Sequence, residues 1–314
     1  MSNDECRSPA ASSLEPSVLS LDHQATGPLD YSLIPVREKL IERGLLLIAF
    51  SAVTMIFLIA FLIFRQGVPL VAKIGVWDFI ASTHWAPSKG QFGILPMIVG
   101  SLEVTLSAVV VGATLGLSCA TFLAEFAPRW SVRILKPMIE LLAGIPSVVY
   151  GFIGVVVLVP LIRRVFGGPG FSVLASAIIL GIMILPTVIA ISLDAINAVP
   201  PLYKEGSLAL GATRWQTLYR VQLPAARSGI IAAFILGMGR AIGETMAVIM
   251  VSGNALTMPT SVLEPVRTLT SNIALEMGYA SGDHQAALFA TGMVLFIIIA
   301  ILNTIALVIA RPRT

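Results

Sequence analysis

Charge is what this chain of 314 residues has least of. Aspartate, glutamate, lysine and arginine make up 12% of it while 56% is hydrophobic, and an average soluble domain carries about 25% charge. With a mean hydropathy of +0.91, this excludes an ordinary soluble fold and indicates a membrane protein. The net charge is only +3 and the basic residues form no runs, so a nucleic-acid partner is not expected. Cysteine is nearly absent. Cys6 lies in a polar stretch and Cys119 in an apolar one, with no CxxC or Cys/His spacing, which gives neither a disulfide framework nor a zinc site. The three histidines, His23, His84 and His284, fall in three different kinds of segment and suggest no metal set. No HExxH, GxSxG or Ser/His/Asp cluster occurs, and no GxxxxGK[ST] loop that would cradle a nucleotide. The chain is therefore not expected to be an enzyme or to hold a metal or cofactor of its own. No internal repeat is evident, so an inverted-repeat secondary transporter gains no support.

What is present is a series of long apolar runs. Residues 1–43 are polar, with Pro9, Pro16, Pro28 and Pro35, and read as a disordered tail. A first span is expected over 44–64, since 21 residues cross a hydrocarbon core of about 30 Å at about 1.5 Å per residue. A loop over 65–92 follows, containing Trp77 and Trp85, residues favoured at the membrane interface. Further spans are expected over 93–124, 135–162, 171–193, 228–252 and 285–310. Connections over 125–134, 163–170, 194–227 and 253–284 join them, and 311–314 ends the chain. Gly144, Pro146 and Pro186 lie inside expected spans, with Pro186 a kink. Six spans put both termini on one side. That side holds thirteen of the 20 basic residues, namely Arg7 to Arg43, Arg129 to Lys136, Lys204 to Arg227, Arg311 and Arg313. Six lie opposite and Arg240 lies within a span. The positive-inside bias therefore places both termini and the 194–227 loop in the cytoplasm, and 65–92 and 253–284 outside.

The 194–227 loop combines Tyr203, Trp215, Leu218 and Tyr219 with Lys204, Glu205, Arg214 and Arg220. Leu202, Ala209, Leu210, Thr213 and Leu218 recur at helical spacing, which predicts two short helices joined at Gly211, a residue free to take a positive φ. An apolar face outside the bilayer needs a cover, either a partner or the chain's own span ends. Glu205-Gly206-Ser207, Gly211 six residues after the glutamate, and Val221-Gln-Leu223-Pro224 beyond it resemble the EAA loop of ABC importer permeases. Gly206-Ser207 stands where that family has Ala-Ala, and both replacements are small.

Three further motifs narrow the resemblance. Gly239-Arg240-Ala-Ile-Gly-Glu244-Thr-Met-Ala-Val, Gly144-Ile-Pro-Ser-Val-Val-Tyr-Gly-Phe152 and Phe92-Gly-Ile-Leu-Pro96 are similar to the PstC-type permease of the bacterial phosphate importer. The resemblance covers nearly all of the chain beyond residue 40. It implies an all-α membrane protein of six transmembrane helices with the type I ABC importer permease (MetI-like) fold, in the bacterial inner membrane. It also implies a homologous PstA-type permease as heterodimer partner, a cytoplasmic ATPase dimer that binds the ATP and Mg, and a periplasmic phosphate-binding protein. The coupling residues it implies are Glu205, Gly206, Ser207, Gly211, Leu223 and Pro224.

Arg240 and Glu244 can be weighed without the family. Arg240 lies near the middle of the 228–252 span, where an uncompensated charge costs about 2.5–3.5 kcal/mol on insertion scales. Glu244, one helical turn on, shares its face if the helix is continuous. Two readings follow: an ion pair that locks helices together, or an arginine that offers planar donors to a passing anion while the carboxylate moderates its grip. Gly237, Gly239 and Gly243 suit either by permitting close approach. Glu103 is a second intramembrane charge that could pair with Arg240 or with a partner, and Glu140 is expected at the start of the third span. The expected activity is ATP-driven import of inorganic phosphate. The rivals are an ABC permease for molybdate, sulfate or a phosphonate, and a secondary anion transporter.

Overall fold

The computed structural model describes residues 34–310. The tail expected over 1–43 lies outside the described residues as far as residue 33, as does the 311–314 end. Residues 34–43 are helical rather than tail and begin α1 (Ile34–Ile74). Residues up to Phe57 and residues from Leu58 onward form two compact units. In the first, the large apolar side chains between Leu45 and Phe57 are exposed, as a lipid-facing surface requires. The second unit holds everything below.

The first helix does not end at residue 64. It runs through Arg65 and Pro69 to Ile74 because Leu70 and Val71 bury and because Gly67 lies where a Cβ would come within 2.8 Å of the Ala290 Cα. The expected 65–92 loop is thus structured. α2 (Val76–Ala81) is followed by an antiparallel hairpin of β1 (Trp85–Ala86) and β2 (Gln91–Phe92), with Trp85 paired to Phe92. Phe79 and Ile94 are fully buried in a core shared with Leu269 and Leu288. α3 (Leu95–Glu125) starts with Pro96 in its first turn, a position where its missing N–H costs nothing.

The third expected span, 135–162, is not one helix. α4 (Arg129–Ala143) stops before Gly144-Ile145-Pro146, where Pro146 is extended, and α5 (Ser147–Ile153) restarts the chain. A π-helical turn over Gly154–Leu158 leads into α6 (Val159–Phe166). Glu140 consequently lies in the last turns of α4 rather than at a span start. The Arg163 guanidinium donates to the Pro169 carbonyl, 2.8 Å from Nη2 and 3.1 Å from Nε, and holds the turn that follows α6.

α7 (Val173–Asn197) passes through Pro186 without a break. Its N-terminus is capped by Ser172 Oγ, which accepts from Ala175 N at 3.1 Å. The carbonyls of Glu264 and Val262 accept from Val173 N and Leu174 N, so the orphan donors of the first turn are met. The Thr260 N–H and then its hydroxyl donate to the exposed Glu264 carboxylate and hold it below its ordinary range. α3 and α7 approach closely at Gly112 and Gly116: a Cβ at Gly112 would lie 2.4 Å from Ile184 Cγ1 and 2.8 Å from the Gly181 carbonyl. This is the small-residue packing by which membrane helices associate.

α8 (Pro201–Ala209) and α9 (Arg214–Thr217) form the loop, followed by a π-helical turn over Leu218–Gln222 and by α10 (Leu223–Ala225). α11 (Arg227–Gly243) is bent by 71° from the Arg214–Ala225 segment. α12 (Met246–Val251), α13 (Leu269–Glu276) and α14 (Asp283–Ala310) complete the chain. Two expectations are corrected here. The fifth span is interrupted at Glu244–Thr245, and the 253–284 loop contains a helix. Five of the described helices are long and apolar enough to cross a membrane, six if the bent pair is one span. Both π turns close on the residue before a proline, Val159 before Pro160 and Leu223 before Pro224, with Leu223 N bonded to the Leu218 carbonyl. Proline has no N–H to continue the ladder, and the turn before it is widened.

Candidate functional site

The interruption in the fifth span is where Arg240 and Glu244 part. Arg240 occupies the last turn of α11, where a cation meets the negative end of the helix dipole. Glu244 is extended, with φ −69° and ψ 132°, so the four-residue spacing no longer places both side chains on one face. Its Oε1 instead accepts from Ala247 N at 3.2 Å, at the start of α12. Its own carbonyl accepts from Thr270 Oγ1 at 3.2 Å. The ion pairs among the described residues are Lys73–Asp283, Lys204–Glu125, Arg267–Glu276 and His284–Glu276. Arg240 joins none, so the helix-locking ion pair is not formed. Its side chain is exposed, and a Cβ at Gly239 or Gly243 would meet open space. Gly237 differs, since a Cβ there would lie 3.1 Å from Val188 on α7. Glu103 is half-buried on α3 and likewise forms no ion pair among the described residues.

The two interrupted spans meet. A Cβ at Gly151 on α5 would lie 3.0 Å from the Ala247 Cα on α12, and Tyr150 OH donates to the Leu142 carbonyl at 2.8 Å across the break between α4 and α5. The Gly144–Phe152 and Gly239–Val248 motifs are thus brought into contact. Phe92–Pro96 is not with them. Gly93 there lies where a Cβ would come within 2.5 Å of the Ser82 carbonyl, and Ile94 fills the core beside the hairpin. Non-helical backbone at membrane depth is tolerated where protein buries it or where it lines a water-filled cavity. The flank of Arg240, Gly239 and Gly243 is open in this chain.

The loop forms the expected two helices about Gly211, whose φ is +85°. A capping box between Thr213 and Gln216 starts α9, and Ser207 Oγ lies 3.0 Å from Thr217 Oγ1, tying α8 to α9. The apolar residues divide. Leu218 is buried, while Leu210 is 91% and Leu202 76% exposed, with Tyr203, Trp215 and Tyr219 beside them. Glu205 and Gly206 are exposed, Leu223 packs with Ile196, Ala226 and Ile230, and Pro224 is exposed. The chain's own span ends therefore cover part of the apolar face and leave the rest open.

Glu125 was missed by the sequence reading. It closes α3, with Lys204 Nζ 2.8 Å and Gln222 Nε2 2.7 Å from its carboxylate. One residue beyond the expected 93–124 span, it escaped the search for intramembrane charge. A buried network at the other end of α3 was also missed. Glu276 accepts from Arg267 Nη1 at 2.7 Å and Trp85 Nε1 at 2.9 Å, and lies 2.8 Å from His284 Nε2. Arg267 further donates to the Asn254 carbonyl and to Asn272 Oδ1.

Comparison with known proteins places this geometry. Residues 112–313 match the model of the family described as binding-protein-dependent transport system inner membrane component. Bacillus subtilis has a similar protein, "Probable ABC transporter permease protein YqgH", 46% identical over 73% of this chain and 75% of that one. The phosphate transport system permease proteins PstC of Haemophilus influenzae and Mesorhizobium japonicum are 32% and 36% identical over 83% and 82% of this chain, and 91% and 88% of theirs. Among solved structures, a permease chain of a bacterial ABC transporter for the acidic polysaccharide alginate aligns with TM-score 0.60 at 18% identity, over 88% of this chain and 98% of that one. One from the MetNI methionine ABC transporter aligns with TM-score 0.57 at 19% identity, over 73% and 98%. The fold is that of the type I ABC importer permeases.

Proposed function

The chain belongs to the binding-protein-dependent transport system inner membrane components, ABC transporter permeases, and on that premise we propose that it moves inorganic phosphate across the bacterial inner membrane. It forms half of the pore, with a homologous PstA-type permease as the other half. Both termini and residues 194–227 face the cytoplasm. There an ATPase dimer, which binds the ATP and Mg, docks on the apolar face of Leu202, Tyr203, Leu210, Trp215 and Tyr219. Residues 65–92 and 253–284 face the periplasm and meet a phosphate-binding protein. This chain carries no cofactor.

The observation that carries the reading is the unpaired Arg240 beside an interrupted helix. A guanidinium presents five N–H donors in a planar fork that suits an oxyanion. Glu244 is held apart by Ala247 N, so it leaves those donors free while keeping negative charge near the path to favour release. The relatives that transport phosphate support the choice of anion. The test is uptake of labelled inorganic phosphate by cells in which this chain is the sole permease of its type, with molybdate, sulfate and a phosphonate as competitors. Phosphate uptake resistant to excess of the others is expected. Uptake driven by another of these anions, or uptake that persists without the ATPase, would contradict the proposal.

A further inference from the structure

We propose that Glu125 is a positioning residue that joins the cytoplasmic loop to α3 and carries the loop's movement into the helix bundle; this rests on the reading of residues 194–227 as the ATPase-docking loop. The Glu125 side chain is 5% exposed, and its carboxylate receives Lys204 from α8 and Gln222 from the π turn. The next residue, Phe126, packs against Trp215 next to α9's start, ring centroids 6.3 Å apart. Three pieces of the loop thus meet the last residue of α3 and its C-cap, and the Ser207–Thr217 contact ties α8 to α9.

The covalent route from the loop is less direct. Between the loop and α11 the chain bends by 71°, so a push on α8 is not passed along one straight helix to Arg240. α3 offers the straight element instead, 31 residues long and hence about 46 Å. Near its other end Ser101 Oγ accepts from Leu269 N at 2.9 Å, and Thr270 on the same α13 donates to the Glu244 carbonyl. The helix gripped by Glu125 therefore touches, through α13, the break that separates Glu244 from Arg240. With Glu125 buried and Lys204 partly exposed, the pair is weak evidence for stability and is better suited to fixing one arrangement of two elements. The buried Gln222 Oε1, which has no hydrogen-bond partner among the described residues, fits a contact kept for its geometry.

The test uses the full transporter, with its second permease and ATPase, in proteoliposomes that are assayed in parallel for ATP hydrolysis and uptake of inorganic phosphate. Glu125→Gln and Lys204→Met should assemble and hydrolyse ATP within about twofold of the unaltered complex, while phosphate moved per ATP falls about tenfold, within the usual range of coupling between sites. Exchanging the charges, Glu125→Lys with Lys204→Glu, should restore most of the ratio, because the Gln222 amide can turn its oxygen to the new ammonium. Lys204 is partly exposed, so its variant reports on the contact even if Glu125→Lys alone fails to fold. An unchanged ratio in Glu125→Gln, or a matched loss of hydrolysis and uptake that the exchange does not restore, would overturn the proposal. An unaltered chain that fails to bind the ATPase would overturn the docking reading and this proposal with it.

Discussion

Arg240 and Glu244 illustrate how a local rule meets a tertiary one. Their spacing suits a helical ion pair, but Glu244 is extended and its carboxylate turns to Ala247 N. The break that separates them is not written in their own residue types. Thr270, 26 residues further on, satisfies the Glu244 carbonyl, and no pattern within the span announces it. Gly211 was legible, because a loop with helical spacing on both sides of a glycine needs a residue that accepts φ near +85°. Proline is fixed near −65°, so Gly211→Pro should disrupt the junction of α8 and α9. Reduced co-purification of the ATPase would register this, and full yield with full activity would contradict the docking role. Glu276 makes a second residue-scale case. Glu276→Ala leaves the part-buried Arg267 without its carboxylate but with the Asn254 and Asn272 acceptors, and should cost about 2–3 kcal/mol, towards the low end of the penalty for breaking a buried pair. Thermal unfolding in detergent should show a clearly lowered Tm, with Glu276→Gln less affected because the amide oxygen still accepts.

Among the elements, apolar run length located the spans well and their interruptions poorly. The reason is physical: hydropathy reports what the membrane accepts, whereas a break depends on which neighbour satisfies the freed backbone. Gly144 and Pro146 were visible in the sequence, yet that they end α4 follows from the extended Pro146 and the Tyr150 bond to Leu142 across the gap. Pro186, of the same residue type, interrupts nothing in α7. The grip of Glu125 on residues 79 and 97 positions later was beyond any local pattern. The α3–α7 contact, by contrast, carries a readable signal in Gly112-Ala-Thr-Leu-Gly116. Gly112→Val forces atoms into space held by Ile184 and the Gly181 carbonyl. It should destabilise the bundle by about 1–3 kcal/mol, as overpacking does, and a lowered Tm with loss of monodisperse protein in detergent would report it. An equal substitution at Gly239, which faces open space, should leave Tm unchanged.

At the scale of the whole molecule, one end presents an apolar helical loop and the other a buried charged network around Glu276. Between them a flank of α11 carries an arginine that forms no ion pair among the described residues. On the proposed function, the first would be the face an ATPase meets and the third the flank a second permease completes. The measurement that bears most directly on this account is inorganic phosphate uptake by Arg240→Gln in the assembled transporter, with assembly and ATP hydrolysis checked alongside. Charge-assisted hydrogen bonds contribute about 1.5–3 kcal/mol, so uptake should fall about 10- to 100-fold with the complex intact, and Arg240→Lys should lie between. Uptake by Arg240→Gln at the rate of the unaltered transporter would contradict it.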